Sequence, residues 1–95
     1  MALSTANVQT ASGSKYLQQL CKHWSHKMVT EFDPEKGRVD FPSGAQLFLE
    51  AGGAELDLTL EAPEDSLERM EGVVADHLKR FAFREELEFV WKKQV

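Results

Sequence analysis

The residues of this sequence that are best suited to bind a ligand begin with a cysteine and two histidines. Cys21, His23 and His26 lie close together in the chain, and thiol and imidazole groups are donors that zinc and iron prefer. On a helix, however, Cys21 and His23 point roughly 160° apart, so they cannot bind one ion together. His23 and His26 are helical neighbours, but a structural zinc site needs about four donors. The metal site is therefore incomplete, and whether any metal binds stays open.

A second group of basic residues occurs late in the chain. His77, Arg80 and Arg84 are spaced so that they share one flank of a helix, provided that the helix continues that far. Side-by-side packing of two helices would place this flank opposite the basic residues of an earlier helix, which are Lys22, His23, His26 and Lys27. Such a positive concavity suits a carboxylate, a phosphate or an anionic metal chelate. Alternatively, these residues are solvated helix edges that form local pairs, such as Asp76 with Arg80.

Signatures of catalysis and of nucleic-acid binding are missing from the sequence. Neither a Gly-x-Ser-x-Gly motif nor a glycine-rich phosphate loop occurs, so we do not expect an enzyme. Sixteen acidic residues against 11 basic ones give a net charge of −5, which argues against nucleic acid or an anionic membrane as the partner. The residues before Glu31 carry only the positive charges of Lys15, Lys22 and Lys27. An anion is therefore expected to bind the N-terminal third of the chain.

The chain length and the cysteine content limit the number of domains and the possible disulfides. The 95 residues suffice for a single domain, which we expect over residues 1–95. Cys21 cannot form an intrachain disulfide, and the sequence contains no run of about 20 apolar residues that could span a membrane. A cytoplasmic location is the expectation. Because Cys21 shares the helical spacing of Leu17 and Trp24, we interpret it as a buried structural thiol.

Hydrophobic periodicity predicts one helix in the first third of the chain. Residues 1–11 are interpreted as either a flexible tail or a short edge strand. Ser12 and Ser14 are both suitable N-caps, and the helix is predicted over about 15–27. Its buried face consists of apolar residues at helical spacing, which are Leu17, Leu20, Cys21, Trp24 and Met28.

Alternation of apolar and polar residues predicts an antiparallel meander in the middle of the chain. Its four strands comprise residues 28–32, the segment around Val39, the segment around Leu47, and residues 56–60. Proline and glycine between these segments supply the tight reversals. Because one face of every strand is polar, helices are expected to cover only the other face.

The helical period returns after Pro63. Asp65 followed by Glu68 predicts a capping box, and apolar residues at helical spacing continue to Phe81. Residues 87–91 alternate again and predict a last strand that rejoins the sheet. The predicted fold class is α+β, with two amphipathic helices packed on one face of a mostly antiparallel sheet of about five strands. Residues 1–11 would add a sixth strand at its edge.

Two apolar residues interrupt the polar face of the predicted sheet. Phe48 and Val90 occupy positions where the alternation calls for polar side chains. If they are adjacent, they form an apolar spot at which a partner domain or a second copy of this chain could dock.

The chain resembles a bacterial family known as domain of unknown function 2218. The resemblance is carried by three segments, YLxxLCKHWSHK at 16–27 (where x is any residue), GRVDFPSG at 37–44 and DHLKRFAFRE at 76–85. It implies a small α+β domain that occurs alone or joined to siderophore-interacting, flavin-binding ferric reductases. It therefore implies a link to iron and siderophore handling, but no established activity and no catalytic residue.

These observations leave two hypotheses. The first is a non-enzymatic accessory module that holds an anionic ligand, such as a ferric chelate or haem, between its helices. Its candidate binding residues are His23, His26, Lys27, His77, Arg80 and Arg84. The alternative is a protein interaction module whose outer sheet face docks on a flavoprotein or on a second copy, without a small-molecule ligand.

Overall fold

The computed structural model describes residues 2–94 as two helices and six strands. In chain order these elements are β1 (Ala2–Gln9), α1 (Gly13–Trp24), β2 (Val29–Phe32), β3 (Lys36–Asp40), β4 (Gln46–Ala51), β5 (Glu55–Ala62), α2 (Leu67–Phe81) and β6 (Lys92–Gln94). Neither helix within this part of the chain is long and apolar enough to cross a membrane.

The strands form one antiparallel sheet in the order β2-β3-β4-β5-β1-β6. Along β5, Leu56, Leu58 and Leu60 are buried beneath the helices, whereas Asp57 lies on the open face. This alternation follows from the two-residue period of a strand. The predicted α+β architecture and the four-stranded meander from β2 to β5 are confirmed.

The first strand lies inside the sheet. β1 pairs with β5 along its whole length and with β6 on its other side, so it is not an edge strand. Ser4, Ala6 and Val8 point into the core at alternate positions. Of the two sequence interpretations, the strand is the one found, but its interior position depends on pairing with residues far along the chain.

The first helix ends earlier than predicted. Ser12 is its N-cap residue, and its last residue is Trp24 rather than Lys27. The Trp24 carbonyl accepts hydrogen bonds from the N–H groups of both Lys27 and Met28, each at 3.0 Å. These bonds form a turn that directs the chain into β2. His26 and Lys27 therefore lie in this turn instead of on the flank of α1.

Close contact between α1 and β3 depends on Gly37. A Cβ atom at this position would lie 2.9 Å from Cys21 Sγ and 3.2 Å from Leu17 Cδ2. The missing side chain lets the helix approach the strand directly. This contact fixes α1 on the sheet and thereby the position of His23 in its last turn.

The capping box predicted for the second helix is wrong. The N-cap residue is Ser66 rather than Asp65, and its side chain makes no capping hydrogen bond. Instead, Ser66 Oγ donates to the Pro63 carbonyl at 3.2 Å. At the other end, Ala82 N–H bonds to the Leu78 carbonyl and the helix stops. Arg84 is therefore beyond the helix and does not extend its flank.

The last strand lies later in the chain than predicted. Residues 87–91 belong to no helix or strand, and the strand that joins β1 is Lys92–Gln94. Leu87 is buried and Phe89 is half-buried, whereas Val90 is exposed. The alternation in the sequence thus reports which side chains face the core, and not which residues are paired in the sheet.

Candidate functional site

Two histidines from different helices meet at the surface. The ring centroids of His23, in the last turn of α1, and His77, on α2, are 5.9 Å apart. His23 is exposed and His77 is half-buried. We call these two residues, with Trp24, Phe41 and Phe81 beside them, the histidine seam.

Aromatic side chains support both imidazoles of the seam. The Trp24 ring centroid lies 5.0 Å from that of His77, and Phe41 packs edge-on against Trp24 at 5.1 Å. Phe81 contacts His23 edge-on at 6.0 Å. Because Trp24 is 4% exposed and belongs to the core, it fixes the base of the seam. The imidazoles are therefore positioned by packing.

One ring nitrogen of His77 has a defined role. Its Nδ1 lies 2.7 Å from the Val73 carbonyl oxygen, which can only accept a hydrogen bond. Nδ1 therefore carries a proton, and in the neutral ring the lone pair is on Nε2. An Nδ1–H bond to a backbone carbonyl is the arrangement that orients metal-ligating histidines. Nε2 of His77 can thus bind a metal or accept a proton.

The other predicted site residues are less closely grouped. Arg80 is exposed on α2 and makes no ion pair within residues 2–94, including the pair with Asp76 considered from the sequence. Arg84 places its guanidinium 5.5 Å from the Phe83 ring centroid, in the turn after α2. The structure therefore brings His23 and His77 together, and it leaves His26, Lys27 and Arg84 outside the helical flanks.

The seam is open to solvent. Four depressions of about 400 to 590 Å³ lie on the outer sheet face, at the start of α1 and beside residues 85–88. None of these four is lined by His23 or His77. Within residues 2–94, no group of three or more His, Cys, Asp or Glu side chains could hold a metal ion. A metal at the seam would need most of its ligands from the bound molecule itself.

Cys21 does not contribute to this site. Its side chain is fully buried against β3, and burial raises the pKa of the Cys21 thiol to about 11. A thiol in such surroundings stays protonated and is a poor nucleophile and metal ligand. The interpretation of Cys21 as a structural residue agrees with this environment.

The two apolar residues of the outer sheet face are far apart. Phe48 is 37% exposed on β4, whereas Val90 is 64% exposed just before β6. Strands β5 and β1 lie between them, which at the spacing of a sheet separates them by about 14 Å. They do not form one apolar spot. Phe48 instead borders a depression that also contains Phe32 and the ion pair of Arg38 with Glu31.

Sequence reasoning missed a buried polar pair. Ser4, on β1, is fully buried and donates a hydrogen bond of 2.5 Å to the carboxylate of Glu71, on α2. A signal was present, because Glu71 shares the helical face of Leu67, Met70 and Val74. A carboxylate on the apolar face of a helix needs a buried partner.

A second missed contact ties the segment after α2 to α1. The hydroxyl of Tyr16, whose ring is in the core, donates a hydrogen bond to Glu85. This bond to the carboxylate is the main reason why the pKa of Tyr16 is raised. Glu85 is thus a structural anchor for the chain that follows α2.

An open six-stranded antiparallel sheet with two helices on one face defines this chain as a small α+β protein. Residues 5–92 match the model of a family described as an uncharacterized protein conserved in bacteria (DUF2218), and the chain belongs to that family. It is also similar to PA4090 from Pseudomonas aeruginosa, whose structure was determined by NMR. The TM-score is 0.80 at 44% sequence identity, over 97% of this chain and 96% of that one. No curated protein matches the chain.

Proposed function

We propose that this protein is a non-enzymatic accessory module that binds an anionic small molecule at the histidine seam. The ligand that we propose is a ferric chelate or haem, and the role of the module would then be in iron and siderophore handling. The single observation that carries the proposal is the approach of His23 and His77 from two helices, with Nδ1 of His77 already bonded to Val73.

The spacing of the two imidazoles supports a shared metal. Rings that bind one ion at about 2.1 Å have centroids roughly 4.5 to 6.5 Å apart, depending on the angle at the metal. The separation of 5.9 Å between His23 and His77 falls in this range. Two nitrogen donors suit an ion whose other positions are filled by a chelating anion. The family resemblance, which includes fusions to siderophore-interacting flavoproteins, favours iron as that ion.

Charge supports the choice of an anionic chelate. Arg80 is exposed one turn after His77, and Lys22 precedes His23 in the last turn of α1. We propose that these two cations attract a negatively charged ligand toward the seam, although the protein as a whole carries −5. We place the module in the cytoplasm, where the single thiol of Cys21 would stay reduced.

The test is a titration of the protein with ferric citrate, ferric nitrilotriacetate and haemin, followed by absorbance and by histidine NMR signals. We expect His23→Ala and His77→Ala each to weaken binding by about 10- to 100-fold, the loss typical of a charge-assisted contact. The triple replacement of His23, His26 and Arg80 should abolish binding and leave the far-UV circular dichroism unchanged.

The matched control is His26→Ala. Like His23→Ala, it removes an imidazole, but from the turn after α1 and outside the seam. The affinity for the ferric ligands should therefore stay within about twofold of the wild-type value. If the wild-type protein shows no response to any of these ligands, the proposal is wrong. If His26→Ala weakens binding as much as His77→Ala, the seam is not the site.

A second candidate function is docking of a protein on the outer sheet face. The observation that favours it is Phe48, an exposed aromatic side chain next to the depression around Arg38. A flavoprotein is the partner that the family resemblance suggests. Phe48→Glu should then abolish capture of that flavoprotein, while Val90→Glu, across the sheet, should not. Equal capture by the wild-type protein and Phe48→Glu would exclude this face.

A further inference from the structure

The two edges of the sheet differ in their protection against pairing. At one edge, β6 has only three residues, and two of them are Lys92 and Lys93. Short strands and lysines are common devices that prevent edge-to-edge association. At the other edge, β2 presents the sequence Val-Thr-Glu-Phe without lysine or proline. Val29 is 60% exposed and Phe32 is 42% exposed, so apolar side chains lie at an edge that nothing within residues 2–94 covers.

The register of the β2-β3 hairpin identifies the free main-chain groups. Asp33 N–H donates to the Lys36 carbonyl, and the pairing continues in the same register through Glu31 with Arg38. In an antiparallel ladder, residues alternate between hydrogen-bonded and non-bonded pairs. Thr30 and Phe32 occupy the non-bonded positions. Their N–H and C=O groups therefore point away from β3, toward the open edge.

The geometry points to β2 as a self-association edge, at which two copies of this chain pair antiparallel about a twofold axis centred on Thr30. In this register Thr30 pairs with Thr30 of the second copy, and Phe32 pairs with Met28. The Met28 N–H is already bonded to Trp24, but no N–H group within residues 2–94 bonds to the Met28 carbonyl, which could therefore accept from Phe32 of the second copy. The two copies would share about four main-chain hydrogen bonds and form a continuous twelve-stranded sheet.

Side-chain complementarity favours a second copy as the occupant of this edge. The register places Phe32 opposite Met28, which joins two apolar side chains on the helix side of the sheet. At each end it brings exposed Lys27 toward Asp33 of the second copy, so opposite charges meet twice. It also avoids the alternative register centred on Glu31, which would set two carboxylates face to face. The sequence of β2 and its flanks is thus complementary to itself.

The experiment measures the mass of the 95-residue protein by light scattering and sedimentation over a wide range of concentrations. We expect a monomer–dimer equilibrium for the wild-type protein. Thr30→Pro should give a monomer, because the N–H that it removes points to the edge and is not used in the β2-β3 ladder. Phe32→Lys, at an exposed position, should also give a monomer and covers the case in which Thr30→Pro does not fold.

Charge reversal tests the register itself. Lys27→Glu replaces two attractive contacts by two repulsive ones and should weaken the dimer about tenfold at low salt, with less effect at high salt. Lys92→Glu makes the same charge change on β6, at the opposite edge of the sheet, and should leave the dimer unchanged.

A wild-type protein that stays monomeric at every concentration would overturn the inference. So would a dimer that persists in both Thr30→Pro and Phe32→Lys but is lost in Phe48→Glu, since that result assigns association to the sheet face. The measurement is made without added ligand, so its outcome does not depend on whether a ligand binds at the histidine seam.

Discussion

Replacement of Gly37 by alanine tests the contact that positions α1 on the sheet. The φ angle of Gly37 is not in the left-handed region, so alanine can adopt the backbone conformation. The new Cβ would nevertheless lie 2.9 Å from Cys21 Sγ and 3.2 Å from Leu17 Cδ2. Helix and strand must separate by a few tenths of an ångström to relieve this overlap.

The expected loss of stability follows from two opposing effects. Overpacking of a core costs about 1–3 kcal/mol. Replacement of glycine by alanine also lowers the conformational entropy of the unfolded chain, which stabilises the folded protein by about 0.4–1 kcal/mol. Gly37→Ala should therefore lower the free energy of unfolding by about 1–2 kcal/mol. Because His23 is carried on α1, we also expect the NMR signals of His23 and His77 to shift.

Urea denaturation in a double-mutant cycle with Cys21→Ala tests whether overlap with Cys21 Sγ causes the loss of stability in Gly37→Ala. Removal of Sγ leaves only the milder approach to Leu17, so Gly37→Ala should cost about 1 kcal/mol less in the Cys21→Ala background. The control is Gly53→Ala, where a Cβ would meet nothing within 4 Å. Equal costs of Gly37→Ala in both backgrounds would refute the proposed contact, and so would a Gly53→Ala loss as large as that of Gly37→Ala.

Three further outcomes are expected. Because burial raises the pKa of Cys21 to about 11, a thiol reagent at neutral pH should label the protein only as fast as it unfolds; rapid labelling would contradict the burial. Ser4→Ala should destabilise the protein by about 1–3 kcal/mol in urea, since the Glu71 carboxylate loses its buried donor, and a change below about 0.5 kcal/mol would argue against this bond. The backbone N–H groups of Glu35 and Lys36 hold the pKa of Asp33 below its usual value. These hydrogen bonds contribute to the free energy of unfolding above about pH 5, and the contribution is lost as the pH falls through the pKa of Asp33 in the folded protein. Asp33→Asn should therefore make the free energy of unfolding depend less on pH in the acidic range, as measured by urea denaturation at several pH values.

Much of the fold could be predicted because local periodicity and burial are directly linked. The alternation of Leu56, Leu58 and Leu60 gives a strand with one buried face, and the helical spacing of Leu67 to Phe81 gives α2. Element ends were less predictable, since they depend on individual hydrogen bonds. At the end of α1, the Lys27 N–H bonds to the carbonyl three residues back, that of Trp24, instead of four residues back as in an α-helix, although the sequence still offers Met28 at helical spacing.

The position of β1 in the sheet could not be predicted from the sequence, because it depends on pairing with residues far along the chain. Nothing local in residues 2–9 says that β5 will lie on one side of β1 and β6 on the other. The candidate site shows a similar limit. Spacing identified His23 and His77 on two separate flanks, but only the packing of α1 against α2 decides that these two imidazoles meet. The helix ends then decide that His26 and Arg84 fall outside those flanks.

The pairing of β1 with β6 has a consequence for how this protein can be connected to others. Leu3 lies opposite Gln94, so the start and the end of the described chain emerge at one corner of the sheet. A circular permutant joined there by a short linker and opened between β4 and β5, at Gly52 and Gly53, should keep the same tertiary structure. A passenger domain fused at either end would leave from the side of the sheet opposite β2, about 20 Å or more from that strand. A domain fused at either end of the described chain would therefore leave the β2 edge uncovered.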